Sequence, residues 1–250
     1  MKRFLLFVFF VGSFSNVNAT ILTWVGGFLG DAWDQPNNWS PAMAPGAGDD
    51  VIININASIL FTGSTTVFEA NSVTISGNAE VVFRVSTTKE IRLYSTQSLN
   101  PALRIDAGCS LSFRGSNLMG GNDSVLDLTY GTGVIGSIYG TLRMESSAPG
   151  ATTGVRLLVS RTPVNPAFYA VLTVYDGGKI EITSTAGNTV SALVPVPNLI
   201  MKNGGVYENQ KNGGLFPAGT WEPNSRAIEK GIPYLLLFPV THMATWNGMP

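Results

Sequence analysis

The sequence predicts an all-β chain, a single-stranded parallel β-helix with an N-terminal cap. Three observations carry this. Along residues 20–242, β-branched and aromatic residues alternate with small polar ones, punctuated by Gly, Asn, Asp and Pro, and no stretch has the period of an amphipathic helix. An internal repeat recurs at roughly 30 residues, the length of one solenoid coil. The composition is 44% hydrophobic but only 12% charged, with 28 Gly. That charge content is about half the ~25% usual for soluble domains. The hydrophobic content is too high for disorder.

The elements follow in order. Lys2 and Arg3 precede an unbroken apolar run over residues 4–11, and Val17 and Ala19 occupy the small-residue positions of a cleavage site. Residues 1–19 are therefore expected to be a signal peptide, cleaved after Ala19, and the mature chain to be secreted or held at the cell surface. The apolar run is shorter than the ~20 residues a membrane-spanning helix needs. The longest later one, residues 232–240, is broken by Pro233 and Pro239. Residues 20–55 carry Trp24, Trp33 and Trp39 among many Gly and Pro, with little periodicity. Such a segment suits a cap, because an open sheet edge invites aggregation.

Residues 56–242 are expected to form the β-helix. Residues 73–83 align with 103–113, 172–182 and 199–209 as apolar, x, apolar, turn, small, x, apolar. The sixth column holds Asn78, Gly108, Gly177 and Gly204, residues that accept a left-handed backbone, so a tight corner belongs there. The seventh holds Ala79, Cys109, Gly178 and Gly205, all small. A degenerate copy surrounds residues 140–144, inside the long gap between the second and third copies. Six or seven coils at about 4.8 Å each give a rod of roughly 30 Å. The unequal spacings place loops of varying length at one or two corners. An antiparallel β-sandwich is the alternative; it requires the strands at Val73, Leu103, Leu172 and Leu199 to pair antiparallel.

Thr23, Trp24 and Gly26, then Trp33, the run Asn38, Trp39, Ser40, Pro41, then Pro45, Gly46, Asp49, Asp50 and Val51 resemble the module start of large secreted, adhesin-like β-helix proteins common in Bacteroidetes. The Leu-x-Val-x-x-Gly-Gly pattern of residues 172–178 and Gly219, Thr220, Trp221 are similar to the same family. The resemblance implies fold and export, and little chemistry. Residues 244–248 echo 22–26, so a second, truncated module is expected to start at 243–250.

The chemistry-bearing motifs are sparse. A net charge of −1 gives no footprint for nucleic acid. One Cys rules out a disulfide framework and any multi-Cys zinc site, and His242 is the sole His. Gly131, Gly133 and Gly136 match a dinucleotide fingerprint, but a strand pattern follows where a helix is required. Ser86 and Lys89 match a Ser-x-x-Lys element in a β-like segment, without its partner motifs. Asp49 with Asp50, and Asp123 with Asp127, are too few for a Ca²⁺ site and read as loop hydrogen-bonding groups. Asp123, Ser124 and Val125 resemble a Bacteroidetes O-glycosylation acceptor. Cys109 reads as a small buried residue.

A polysaccharide hydrolase on this fold would stack carboxylates at one position of adjacent coils. The fourth column reads Ser76, Asp106, Tyr175, Lys202 and the eighth Glu80, Ser110, Lys179, Val206. No column of successive acids is expected, and Arg104, Arg114 and Arg143, candidate lyase bases, are expected to lack nearby acids. Trp24, Trp33 and Trp39 are the candidate ligand-binding residues, since exposed rings stack on sugar faces; the competing reading is that they plug the solenoid end. The function expected is a non-catalytic, adhesin-like surface module. The alternatives are a carbohydrate-active hydrolase or lyase, and a carbohydrate-binding module. No cofactor, metal or nucleic acid is expected, and extracellular glycans or surface proteins are the expected partners.

Overall fold

The computed structural model describes residues 19–27, 30–85, 88–115, 124–145, 155–159, 169–183, 190–191, 199–210 and 216–230. Residues 1–18, Ser86, Asp123, His242 and the expected second module at 243–250 lie outside the described residues. Among the described residues no helix is long and apolar enough to cross a membrane.

The chain is all-β and its three sheets are parallel but for one strand. Two short strands, β1 (Ile21–Trp24) and β2 (Trp39–Ser40), come first. Rounds of strands follow. The first comprises β3 (Asp50–Ile53), β4 (Ala57–Phe61) and β5 (Val67–Ala70), and the second β6 (Ser72–Ile75), β7 (Glu80–Val85) and β8 (Glu90–Leu93). The third is β9 (Leu103–Ile105), β10 (Ser110–Arg114) and β11 (Ser124–Asp127). The fourth is β12 (Val134–Ile138), β13 (Thr141–Glu145) and β14 (Val155–Leu158), and the fifth β15 (Ala170–Val174), β16 (Lys179–Ile182) and β17 (Val190–Ser191). Then come β18 (Leu199–Met201) with β19 (Val206–Asn209), and β20 (Thr220–Trp221) with β21 (Arg226–Glu229).

Each full round gives one strand to each sheet, and like strands pair with like. The nine-stranded sheet runs β2-β1-β3-β6-β9-β12-β15-β18-β20, the seven-stranded β21-β19-β16-β13-β10-β7-β4, and the five-stranded β17-β14-β11-β8-β5. Among the described strands only β2 is antiparallel to its neighbour. Val73 pairs with Leu103, and Leu172 with Leu199, in parallel register. The antiparallel sandwich alternative is thereby overturned.

The sequence pattern explains the sheets. Strands such as β8 and β16 alternate half-buried and buried residues, because one face of each sheet looks inward and the other out. The inward residues of all three sheets belong to one hydrophobic cluster, among them Ile59, Val73, Leu111, Leu126 and Leu172, all fully buried. Each such side chain contributes about 1.5–3 kcal/mol when removed from water, and only the rounds on either side can complete that burial.

The corner from the nine- to the seven-stranded sheet is the regular one. Ala79, Cys109, Gly178, Gly205 and Ser225 each donate their N–H to the carbonyl three residues back. Asn78 and Gly108 take φ of 60° and 79° there. The other two corners vary, from the single Asn71 between β5 and β6 to residues 94–102 between β8 and β9.

The degenerate repeat copy is a real round with a shortened corner. Ile138 pairs with Ile105 and Leu142 with Leu111, so residues 139–141 span what 106–110 span one round earlier. The backbone is drawn tight against its neighbours as a result. A Cβ on Gly140 would lie 2.3 Å from the Cys109 carbonyl oxygen, and one on Gly178 2.3 Å from that of Ile138. The crowding at the seventh column thus comes from carbonyls of the preceding corner.

Residues 20–55 do two things. β1 and β3 already belong to the nine-stranded sheet, so parallel stacking begins inside this segment. β2 ends it by pairing antiparallel, and Ala32 bridges Leu60 on the outer edge of β4.

Candidate functional site

Trp24, Trp33 and Trp39 are brought together, but inside. They are 3%, 1% and 2% exposed. Trp39 meets Trp24 and Trp33 edge-on at 4.9 and 5.0 Å, and Trp33 stacks on Phe61 at 5.2 Å. The Trp39 indole N–H donates to the Trp33 carbonyl at 2.8 Å. Their faces are covered by one another and by Phe61 and Phe83, so they do not form an exposed platform for sugars. They fill the end of the core beneath β1 and β4.

The remaining motifs resolve simply. The glycine fingerprint runs into β12, with no helix after Gly136. Asp49 accepts the Gly46 N–H at 2.9 Å, and Asp50 accepts from Asn71 and Ser72 at 2.8 and 2.7 Å, loop-fixing bonds as expected. Ser124 is buried and its hydroxyl accepts the Lys89 N–H at 3.2 Å, so it is not displayed as a glycan acceptor. Cys109 is a buried free thiol. Asp127 is buried and binds the Thr129 N–H and hydroxyl at 2.6 and 2.7 Å. Among the described residues no group of three or more His, Cys, Asp or Glu is placed to hold a metal ion.

Among the described residues the outward side chains form three polar arrays. The first lies along the regular corner, where Tyr139 joins Asp106, Tyr175 and Lys202 of the fourth column. The Tyr139 and Tyr175 rings stack at 4.3 Å and 10°. Arg104 lies over Tyr139 at 5.8 Å and bonds Asp106 at 2.7 Å; Lys202 pairs with Glu222 at 2.6 Å. Each tyrosine covers one face of the other.

The second array is on the five-stranded sheet. Glu69, Arg92 and Asp127 follow one another in register on β5, β8 and β11. Arg92 bonds Glu90 at 2.8 Å and lies 3.7 Å over the Tyr130 ring, and the Tyr94 hydroxyl donates to Glu69. Burial, then Glu69, pushes the Tyr94 phenol up to about 12. Burial would raise Glu90, but bonds from Arg92, Asp127 and Tyr130 outweigh it and hold it below its ordinary value. These contacts tie the array to itself.

The third array is on the seven-stranded sheet and corrects two expectations. Glu181 and Glu208 stand in register on β16 and β19, in the tenth repeat column, so one column does carry acids in successive rounds. Nor do the candidate arginine bases lack acids. Arg104 pairs with Asp106, Arg114 with Glu145 at 2.7 Å and Arg143 with Glu181 at 3.0 Å. The bond to Asp106 raises the Arg104 guanidinium further from losing its proton, the wrong direction for a base.

Lys179 reaches Glu208 at 2.9 Å and Glu181 at 3.6 Å, and Lys230 reaches Glu208 at 2.5 Å. Burial would raise Glu208, but Lys230, Lys179 and Gln210 together hold it at about 2. A glycosidase needs one carboxyl that keeps its proton near neutral pH; Glu208 is held the opposite way.

Two further residues stand out. Lys89 is 2% exposed, its ammonium donating to the Gly63 and Thr65 carbonyls at 2.8 and 2.6 Å. Arg84 is in register with Arg114. The aligned repeats end at residues 83 and 113, one position short of this pair. No protein-family model, curated protein or solved structure matches the chain.

Proposed function

We propose that the rounds are the coils of an exported, three-faced parallel β-helix, and that it acts as a non-catalytic, adhesin-like surface module with structural and ligand-presenting roles. The observation that carries this reading is the pairing of outward charges from round to round along the faces, as Arg114 with Glu145 and Lys179 with Glu208. Charges spent on their neighbours make a ladder; catalysis calls for groups converging on a cleft with opposed protonation states. The cyclic order of the sheets and the buried tryptophan end support the solenoid, and the apolar leader supports export. Glycans or proteins outside the cell are the partners such a face would meet.

The in-register pair Glu181 and Glu208 favours a second reading, a polysaccharide hydrolase or lyase. Purified residues 20–250 incubated with neutral and acidic polysaccharides, with and without Ca²⁺, separate the two. Absence of reducing ends and unsaturated products is the expected result. Release that Glu181→Gln and Glu208→Gln abolish would overturn the non-catalytic reading. Export is tested by N-terminal sequencing of the protein from its native cells: a start at Thr20 is expected, and a retained Met1 would overturn it.

A further inference from the structure

We propose that Arg84 and Arg114 form an anion subsite on the outer face of the seven-stranded sheet, one that takes the carboxylate or sulfate groups of an acidic polysaccharide. The proposal rests on the reading of this face as ligand-presenting and names the ligand class. The two arginines occupy one register position on adjacent strands, β7 and β10. Neighbouring strands lie about 4.8 Å apart, so like charges so placed repel. Elsewhere on this face Arg114 with Glu145 and Arg143 with Glu181 are neighbours of opposite sign, and the like-charged pair in register, Glu181 and Glu208, has Lys179 reaching both carboxylates. Nothing of opposite sign stands between Arg84 and Arg114 in this way among the described residues.

The two guanidinium groups also differ in what satisfies them. Arg114 holds Glu145 through Nε and Nη2, both at 2.7 Å, on the side away from Arg84. Arg84 bonds the Ser58 carbonyl through Nη2 at a long 3.5 Å, and its Nε is buried with no acceptor. On its other side, in register, stands Leu60, which offers no charge. No carboxylate among the described residues pairs with Arg84. A guanidinium presents parallel N–H donors that match a planar or tetrahedral oxyanion. An anion beside β7 and β10 would give the Arg84 guanidinium a charged partner and offset the repulsion from Arg114.

The test is binding of three soluble probes to residues 20–250 by calorimetry: an oligogalacturonate for carboxylate, a heparin oligosaccharide for sulfate, and a neutral galactan. The acidic probes should bind and the galactan should not, with affinity falling as salt rises. Binding of one acidic probe alone assigns the anion to that source; binding of both assigns it to the shared charge. Arg84→Ala should weaken binding at least ~10-fold, as loss of a central arginine does, and Arg84→Lys less. Arg104→Ala, on the corner array, should leave binding unchanged. Arg84→Ala loses one long bond to Ser58 and some packing but no ion pair, so its thermal midpoint should fall by no more than about 4 °C.

Equal affinity for acidic and neutral probes would overturn the subsite, as would identical losses in Arg84→Ala and Arg104→Ala. A larger fall of the midpoint in Arg84→Ala would mark Arg84 as structural and also overturn it. If instead no probe binds and none is cleaved, the subsite falls while the non-catalytic module stands.

Discussion

Glu181 and Glu208 face the same side of adjacent strands in register, and Lys179 stands within 3.6 Å of the first and 2.9 Å of the second. Two like charges on neighbouring strands would repel. The shared lysine, with Lys230 and Gln210, makes the pair tolerable by placing donors between and beside them. The arrangement keeps the Glu208 carboxylate ionised.

This sets an acid dependence. Glu208 sits at about 2 when folded, against an ordinary 4.5. A carboxylate depressed on folding contributes stability that is fully present above its unfolded value and is lost as pH falls from about 4.5 towards 2. The contribution is of the order of 2–3 kcal/mol. Glu208→Gln should cost about that much at pH 7 and should flatten the fall between pH 5 and 3. Urea midpoints of the two proteins across that range measure it; parallel curves would refute the assignment.

The shortened corner predicts an unequal pair of glycine substitutions. In Gly140→Ala the new methyl meets two backbone carbonyls, Cys109 at 2.3 Å and Asp106 at 2.4 Å, neither at the end of a flexible side chain. In Gly177→Ala it meets nothing within 4 Å and pays only for a φ of +75°. Gly177→Ala should cost about 1–2 kcal/mol. Gly140→Ala should cost at least ~3 kcal/mol, among the exceptional single changes. Chemical denaturation of both variants compares them directly, and equal losses would mean that the corner relaxes.

The fold was legible because inward residues, corner residues and period repeat together. Val73, Leu103, Leu172 and Leu199 share one sheet position, and an aligned column is the same thing as a row in that sheet. The round from Gly136 was only half legible, because its corner lost two residues and broke the alignment while the pairing of Ile138 with Ile105 survived. The outward arrays were harder to see. Glu181 with Glu208 lay in the tenth column and Arg84 with Arg114 in the twelfth; column order predicts both neighbours. The bond from Lys202 to Glu222 joins the regular rounds to that of β20 and β21, outside the aligned copies. Whether Trp24, Trp33 and Trp39 face in or out cannot be read from a segment without periodicity, because burial there depends on the edges of β1 and β4.

The buried tryptophans give an optical test of their role. With Trp221→Phe and Trp246→Phe, the remaining emission comes from Trp24, Trp33 and Trp39, all at most 3% exposed. That emission should be blue-shifted, resistant to iodide quenching and unaltered by any glycan. Truncation of the central ring, Trp33→Ala, should cost about 3–5 kcal/mol as a cavity opens against Phe61 and Phe83. Strong iodide quenching in the folded protein would return the three rings to the surface.

Lys89 carries the last prediction. Its stem lies in the core and its ammonium ties the Gly63 and Thr65 carbonyls of the β4–β5 loop to β8, one round further on. Lys89→Met keeps the apolar volume but leaves those carbonyls without their donor, a loss of about 2–3 kcal/mol. Hydrogen exchange should quicken first at residues 62–66. Burial lowers the Lys89 ammonium from its ordinary 10.5, with Asp34 opposing. As pH rises towards 10.5 the folded protein therefore loses this proton before the unfolded chain does, so the stability contributed by Lys89 increases with pH. The gap between wild type and Lys89→Met should widen from pH 8 to pH 10 in denaturant titrations. A gap that narrows would mean that the ammonium is held by an anion rather than by carbonyls alone.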